Sequence, residues 1–251
     1  MIRIVSTILI ASLLGAIGLS KITHTQQETP VPAQDTVMTA KQKEHSKLYA
    51  GRGAGKKLRD MTTVQNGKET KTDIDIITPP PLPELSPTGA TSVEHPLENL
   101  ACEADAIVIG RIKEKLSFAT EDEKYIFTEN VMNIDDVLKD GPVHIVTDSE
   151  ITITVPGGTI QLDGRRFRAI DRSFKPFEVG DHYLLLLKFV AETGDYKPVN
   201  SRSSFLIRDN KAEELTEEQM QGFINGRDAA SLINELRAVA QVNNCKNGKG
   251  E

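Results

Sequence analysis

Cysteine is nearly absent from this chain. Cys102 and Cys245 are the only two in 251 residues, and no Cys-x-x-Cys or His-x-x-x-His spacing occurs. A zinc site draws on three or four such ligands, so no metal site is expected. No Gly-x-Ser-x-Gly elbow is present, which removes the nucleophile of the α/β-hydrolases. A membrane-spanning helix needs about 20 apolar residues. The apolar run at the start, Ile4 to Leu19, has 16 and is interrupted by Ser6, Thr7 and Ser12.

That run fits a secretory signal better than a span. Arg3 supplies a short positive region before it, and Gly18-Leu19-Ser20 offers small residues for cleavage. Residues 1–20 are therefore expected to be a signal peptide, with an uncleaved anchor as the second choice. No cysteine follows the run, so the lipid-bearing cysteine of bacterial lipoproteins is missing. Either choice places the remainder outside the cytoplasm, secreted or in the periplasm and cell envelope. A disulfide persists there, and two cysteines permit one intramolecular pairing, Cys102–Cys245. Closing so long a loop is worth about 4–5 kcal/mol in the chain-entropy view. Two separate buried thiols are the alternative.

Residues 21–95 are rich in Gln, Thr, Ser, Lys and Pro and poor in aromatics. Such a composition buries too little apolar surface to offset chain entropy, so a disordered tether is expected. Pro79-Pro80-Pro81-Leu82-Pro83 adds a stiff, extended spacer. Residues 41–60 carry seven cations against two acids. They could touch anionic lipids together with residues 1–20, although a solvated charge run is the commoner outcome. Gly51-Arg52-Gly53-Ala54-Gly55-Lys56-Lys57 lacks the Ser or Thr and the preceding strand that a phosphate loop requires.

From residue 96 to 251 the pattern changes to strands. Ala106–Ile112 and Tyr125–Leu138 are dense β-prone runs. Ile151–Val155 and Thr159–Leu162 alternate apolar with polar residues across Pro156-Gly157-Gly158, which predicts a hairpin. Tyr183–Val190 is apolar on both faces, as a central strand requires, and Ser204–Arg208 is the last strand expected. Thr216-Glu217-Glu218-Gln219 reads as a capping box, and Asp228 as the cap of a helix carrying Leu232, Ile233, Leu236 and Val239. A sandwich needs about seven strands. A parallel α/β sheet needs helices between its strands. The expectation is therefore a mainly β fold: a small five- to six-stranded OB-like Greek-key barrel with C-terminal helices.

Cys102-Glu103-Ala104-Asp105-Ala106-Ile107-Val108-Ile109-Gly110-Arg111-Ile112 resembles the opening strand of netrin-like domains, the OB-type barrels of tissue inhibitors of metalloproteinases. That family ties its barrel to a C-terminal helix by a disulfide, which Cys102 and Cys245 match. A closer likeness is to secreted bacterial proteins of uncharacterised function. They share this strand, Val137-Leu138-Lys139-Asp140-Gly141, the Pro-Gly-Gly turn and Gly180-Asp181-His182-Tyr183-Leu184. The resemblance covers residues 100–210 and implies fold. Protease inhibition is not implied, because Cys102 lies far inside the chain and no Cys-x-Cys opens it.

No catalytic set emerges, and no cofactor is expected. His182 stands beside Asp181, but neighbours on a strand point to opposite faces. Asp135-Asp136 and Glu121-Asp122-Glu123 lack the spaced oxygen pattern of a calcium loop. Arg165, Arg166, Phe167, Arg168 and Arg172 form the best candidate binding patch, an aromatic among cations. Nucleic acid is not expected, since residues 96–251 hold 27 acids against 19 basic residues. Two function classes follow. One is an extracytoplasmic, non-enzymatic binding module for a protein or envelope polymer. The other is a secreted hydrolase with a site of scattered acids such as Asp135, Asp171 and Asp181.

Overall fold

A computed structural model describes residues 38–53, 55–65, 68–70, 73–78, 96–145, 147–215 and 224–241. All of them belong to the unit Val31–Glu251. Three helices are described: α1 (Ala40–Tyr49), α2 (Pro96–Glu103) and α3 (Ala229–Gln241), with a 3₁₀ turn at Leu58–Asp60. The strands are β1 (Thr63–Gln65), β2 (Lys68–Thr70), β3 (Ile74–Thr78), β4 (Ala106–Ala119), β5 (Ile126–Lys139), β6 (Glu150–Pro156) and β7 (Gly158–Leu162). They continue with β8 (Arg165–Asp171), β9 (His182–Val190), β10 (Asp195–Pro198), β11 (Ser204–Arg208), β12 (Lys211–Glu214) and β13 (Arg227–Asp228). The fold is mainly β, as the alternating patterns foretold. No described helix is long and apolar enough to cross a membrane.

Eight strands form one sheet in the order β10-β6-β5-β4-β9-β11-β12-β13. β10 also pairs antiparallel with β9, from Asp195↔Val190 to Pro198↔Leu187. It meets β6 at a single parallel position, Tyr196↔Ile153. The leucine run of β9 shows why it must be central. Tyr183, Leu185 and Leu187 enter one core with Val108, Met132, Ile134, Ile153 and Tyr196. Leu184 and Leu186 enter a second core with Ile107, Ile109, Phe205, Leu232 and Leu236. Period-two alternation sends a run of apolar side chains into both.

α3 covers that second core. The Asp228 carboxylate accepts from the Ser231 N–H at 2.8 Å, the cap expected there, and Leu232 and Leu236 are fully buried. Each such leucine contributes about 1.5–3 kcal/mol by leaving water. Most of the helix expected from Thr216 to Ile224 lies at 216–223, outside the described residues. So do residues 1–20, where a signal segment is expected, the polyproline stretch and Cys245.

The motif residues prove to be fold-building. Asp105 Oδ2 accepts from the Phe189 N–H at 2.9 Å and Oδ1 from Lys188 Nζ at 3.2 Å, tying the end of α2 to β9. Lys139 Nζ donates to the carbonyls of Ala101 at 3.0 Å and Ala104 at 2.5 Å, closing the open end of α2. Gly110 stands at a register shift between β4 and β5, where a Cβ would lie 2.1 Å from the Asn133 carbonyl oxygen.

Two expectations need correction. Ile151–Val155 and Thr159–Leu162 do not pair with each other. β6 stays in the large sheet beside β5, while β7 pairs with β8 in a three-stranded sheet ordered β3-β8-β7. Pro156-Gly157-Gly158 is thus a crossover between sheets. Gly158 adopts φ +135°, and a Cβ there would lie 2.3 Å from Thr128 Oγ1, so both backbone and space demand glycine. The unfolded tether over 21–95 also fails for its middle. Residues 40–78 include α1, the 3₁₀ turn and three strands, and β3 runs parallel to β8 from Ile74↔Phe167 to Thr78↔Asp171. A third core explains this, since Tyr49, Leu58, Ile74 and Ile76 pack with Phe118, Phe127 and Phe167.

Candidate functional site

Among the described residues, a group of charged side chains converges under α1. The helix starts at a capping box that composition hides but spacing reveals. The Thr39 hydroxyl accepts from the Gln42 N–H at 3.2 Å, and Gln42 Oε1 accepts from the Thr39 N–H at 2.9 Å. One turn further, His45, Ser46 and Tyr49 share the buried side of the helix.

His45 is fully buried between two carboxylates. Its Nδ1 lies 2.6 Å from Glu129 Oε1 on β5, and its Nε2 lies 3.2 Å from Asp195 Oδ2 at the start of β10. Lys41 Nζ stands 2.6 and 2.7 Å from the two Asp195 oxygens, and Gln42 Nε2 donates to Glu129 Oε2 at 3.4 Å. Burial by itself would lower the imidazole pKa. The hydrogen bonds and charges of Asp195 and Glu129 outweigh it and raise the value from 6.5 to about 8. The ring is thus an imidazolium at neutral pH.

The rest of the segment extends this contact. The Tyr49 ring stacks on Phe127, with centroids 5.6 Å apart at 15°. Arg52 lies 5.8 Å over Tyr49 and donates at 2.9 Å to Asp171, whose side chain is 1% exposed. Ser46 Oγ accepts from the Glu121 N–H at 2.7 Å, and the Leu58 N–H donates to the Glu123 carbonyl at 2.7 Å. Beside Asp195 opens a groove of about 330 Å³, lined in part by Lys41, His144, Glu150 and Tyr196.

The arginine patch expected from sequence is divided by strand alternation. β8 buries Arg165 and Phe167, and exposes Arg166 and Arg168 on the other face, with Arg172 exposed just beyond. Arg165 Nη1 and Nη2 donate to the carbonyls of Met61 and Arg59, both at 2.8 Å, and its guanidinium sits 5.0 Å over Phe167. Arg166 Nη2 is 3.2 Å from Asp73. The five residues do not form one platform.

Asp135, Asp171 and Asp181 have separate basic partners. Asp135 lies 3.1 Å from His182 Nε2 and 3.9 Å from Arg111 Nε. Asp171 faces Arg52, and Asp181 is 3.2 Å from Arg208. Burial is the largest influence on His182 and, with Arg111 nearby, lowers its pKa despite Asp135. Among the described residues no group of three or more His, Cys, Asp or Glu is placed to hold a metal ion. The cations of 41–60 are largely committed: Lys43 to Glu121, Lys47 to Glu44 and Arg59 to Asp163 and Glu123, besides Lys41 and Arg52. No protein-family profile matches the chain, and no curated protein is similar to it.

Proposed function

We propose that this chain is an extracytoplasmic, non-enzymatic binding module built on an OB-type barrel, for which the partner is a protein or an envelope polymer. The strand pairings support the barrel. They run from β4 to β5, β6, β10 and β9 and return to β4, with β6 and β10 parallel. Such a ring has the connectivity of a five-stranded Greek-key barrel. The observation that supports the non-enzymatic reading is that Asp135, Asp171 and Asp181 are each engaged by a different basic residue, His182, Arg52 and Arg208. A catalytic set instead directs its acids at one reacting position.

The Cys102–Cys245 disulfide belongs to the same proposal. Cys102 is half-buried in α2, α2 packs with α3, and α3 ends at Gln241, four residues before Cys245. Export by residues 1–20 supplies the oxidising compartment that the bond requires.

The test immobilises the full-length oxidised chain and exposes it to envelope extract. Bound material is quantified against the Cys102→Ser/Cys245→Ser variant. Saturable, stoichiometric retention that needs the intact fold supports the module. No enrichment, together with turnover of ester, peptide or glycoside substrates that Asp135→Asn abolishes, would establish the hydrolase instead.

A further inference from the structure

We infer that the barrel face beneath α1 is a binding site for a cationic helix carrying a tyrosine, and that α1 is its resident, displaceable occupant. This rests on the binding-module reading. It adds the site, the chemistry of the ligand and the means of its release.

OB barrels take ligands on their second and third strands and on the loops joining strands one to two and four to five. In the ring described above these are β5, β6, the turn at residues 120–125 and the turn at residues 191–194. α1 touches three of them. Tyr49 stacks on Phe127 of β5. Ser46 bonds the Glu121 N–H in the first turn. Lys41 and His45 meet Asp195, where the second turn ends.

The face under the helix is chemically specific. Glu121, Glu129, Asp171 and Asp195 surround a floor containing Phe118 and Phe127, whose rings lie 5.6 Å apart. Each of the four carboxylates is matched by a cation of residues 41–52. Lys43, His45, Arg52 and Lys41 supply the cations in that order, and Tyr49 fills the floor. Charge and shape both select a basic helix with one aromatic.

Displaceability follows from how little apolar surface holds α1. Ten residues are too few for a stable isolated helix, and only His45, Ser46 and Tyr49 are buried. Leu48 and Met38 add partly buried apolar contact, and the rest of the attachment is ionic, through Lys41, Lys43 and Arg52; the Lys43–Glu121 pair, 48% and 55% exposed, is open to screening, while Asp195 and Asp171 are themselves buried. His45 stands at the centre, faced by Lys41 and Gln42 from its own helix, Glu129 from β5 and Asp195 from β10. Its pKa of about 8 when docked, against 6.5 when free, loosens the helix as pH rises. Docking is then about 15-fold weaker at pH 9.5 than at pH 6.5.

Two measurements on the full-length oxidised chain test this. The first is hydrogen exchange of the α1 amides relative to those of β9, corrected for intrinsic rates. Relative α1 protection should fall at least severalfold from pH 6.5 to 9.5, and fall again in high salt. The second adds a labelled peptide with the sequence of residues 38–53 to the His45→Ala/Tyr49→Ala variant. Saturable binding at pH 6.5, weaker at pH 9.5 and absent with the wild-type chain, is expected. If that variant loses β9 protection, Lys41→Ser/Arg52→Ser is the receptor used. Unchanged relative protection of α1 across the pH range overturns the release. No peptide binding to a receptor that keeps β9 protected overturns the site. Both readouts concern the chain and its own segment, so a failure to capture any external partner leaves them standing.

Discussion

His45 Nδ1 and Glu129 Oε1 lie 2.6 Å apart across 84 residues of chain. A side chain from the basic N-terminal stretch is therefore fixed to a strand of the large sheet, and its ionisation belongs to the stability of the fold.

The first prediction is a pH dependence with a definite sign. The folded protein raises the His45 pKa from 6.5 to about 8. The resulting stabilisation is whole below pH 6.5 and is lost as pH climbs through 8. Its size is about 2 kcal/mol, at 1.36 kcal/mol for each pH unit of displacement. Urea unfolding at pH 6, 7, 8 and 9 measures it. His45→Gln should flatten the profile over that interval, and a wild-type profile no steeper than the variant's would disprove the assignment.

Tyr49 anchors α1 by area rather than charge. Its ring is 5% exposed and stacked on Phe127. Tyr49→Ala should cost about 3–5 kcal/mol if α1 unfolds with the rest. Tyr49→Phe keeps the stack and should cost about 1 kcal/mol for the hydroxyl. Equal effects of the two variants in denaturant unfolding would show that the ring contributes nothing.

Gly110 tests the close approach of β4 to β5. A Cβ there meets backbone, at 2.1 Å from the Asn133 carbonyl oxygen, and no rotamer relieves that contact. Gly110→Ala should destabilise by about 1–3 kcal/mol or more, read as a drop in thermal midpoint. An unchanged midpoint would mean that the two strands separate freely at this bulge.

The arginines of β8 should separate by face. Arg165 spans two backbone carbonyls and covers Phe167, a geometry that the single ammonium of lysine does not reproduce. Arg165→Lys should lower stability by about 1–3 kcal/mol. Arg168→Ala, on the exposed face, should stay within about 0.5 kcal/mol. Thermal unfolding of the pair checks this, and the reverse order would contradict the burial pattern.

Several elements were legible because their signals are local. Asp228 before an apolar stripe marked α3, and the two-sided leucine run of β9 marked a central strand. α1 was legible too, in Thr39-Ala40-Lys41-Gln42 and the His45 and Tyr49 pair four apart, but the polar composition around it pointed the other way. The partners of His45 were not legible. Glu129 and Asp195 sit in unrelated strands, and nothing near either one marks it as a counter-ion.

The sequence by itself determined the class of the fold, the strands β4, β5, β6, β7, β9 and β11 and the capped α3, since periodicity and capping depend on neighbours a few residues apart. Tertiary structure alone decided that β7 leaves β6 for β8, that β3 joins them, and that α1 rests on β5 and β10. Those choices depend on which distant surfaces exclude water together and which buried charges find opposite partners, and neither quantity exists until the chain is folded.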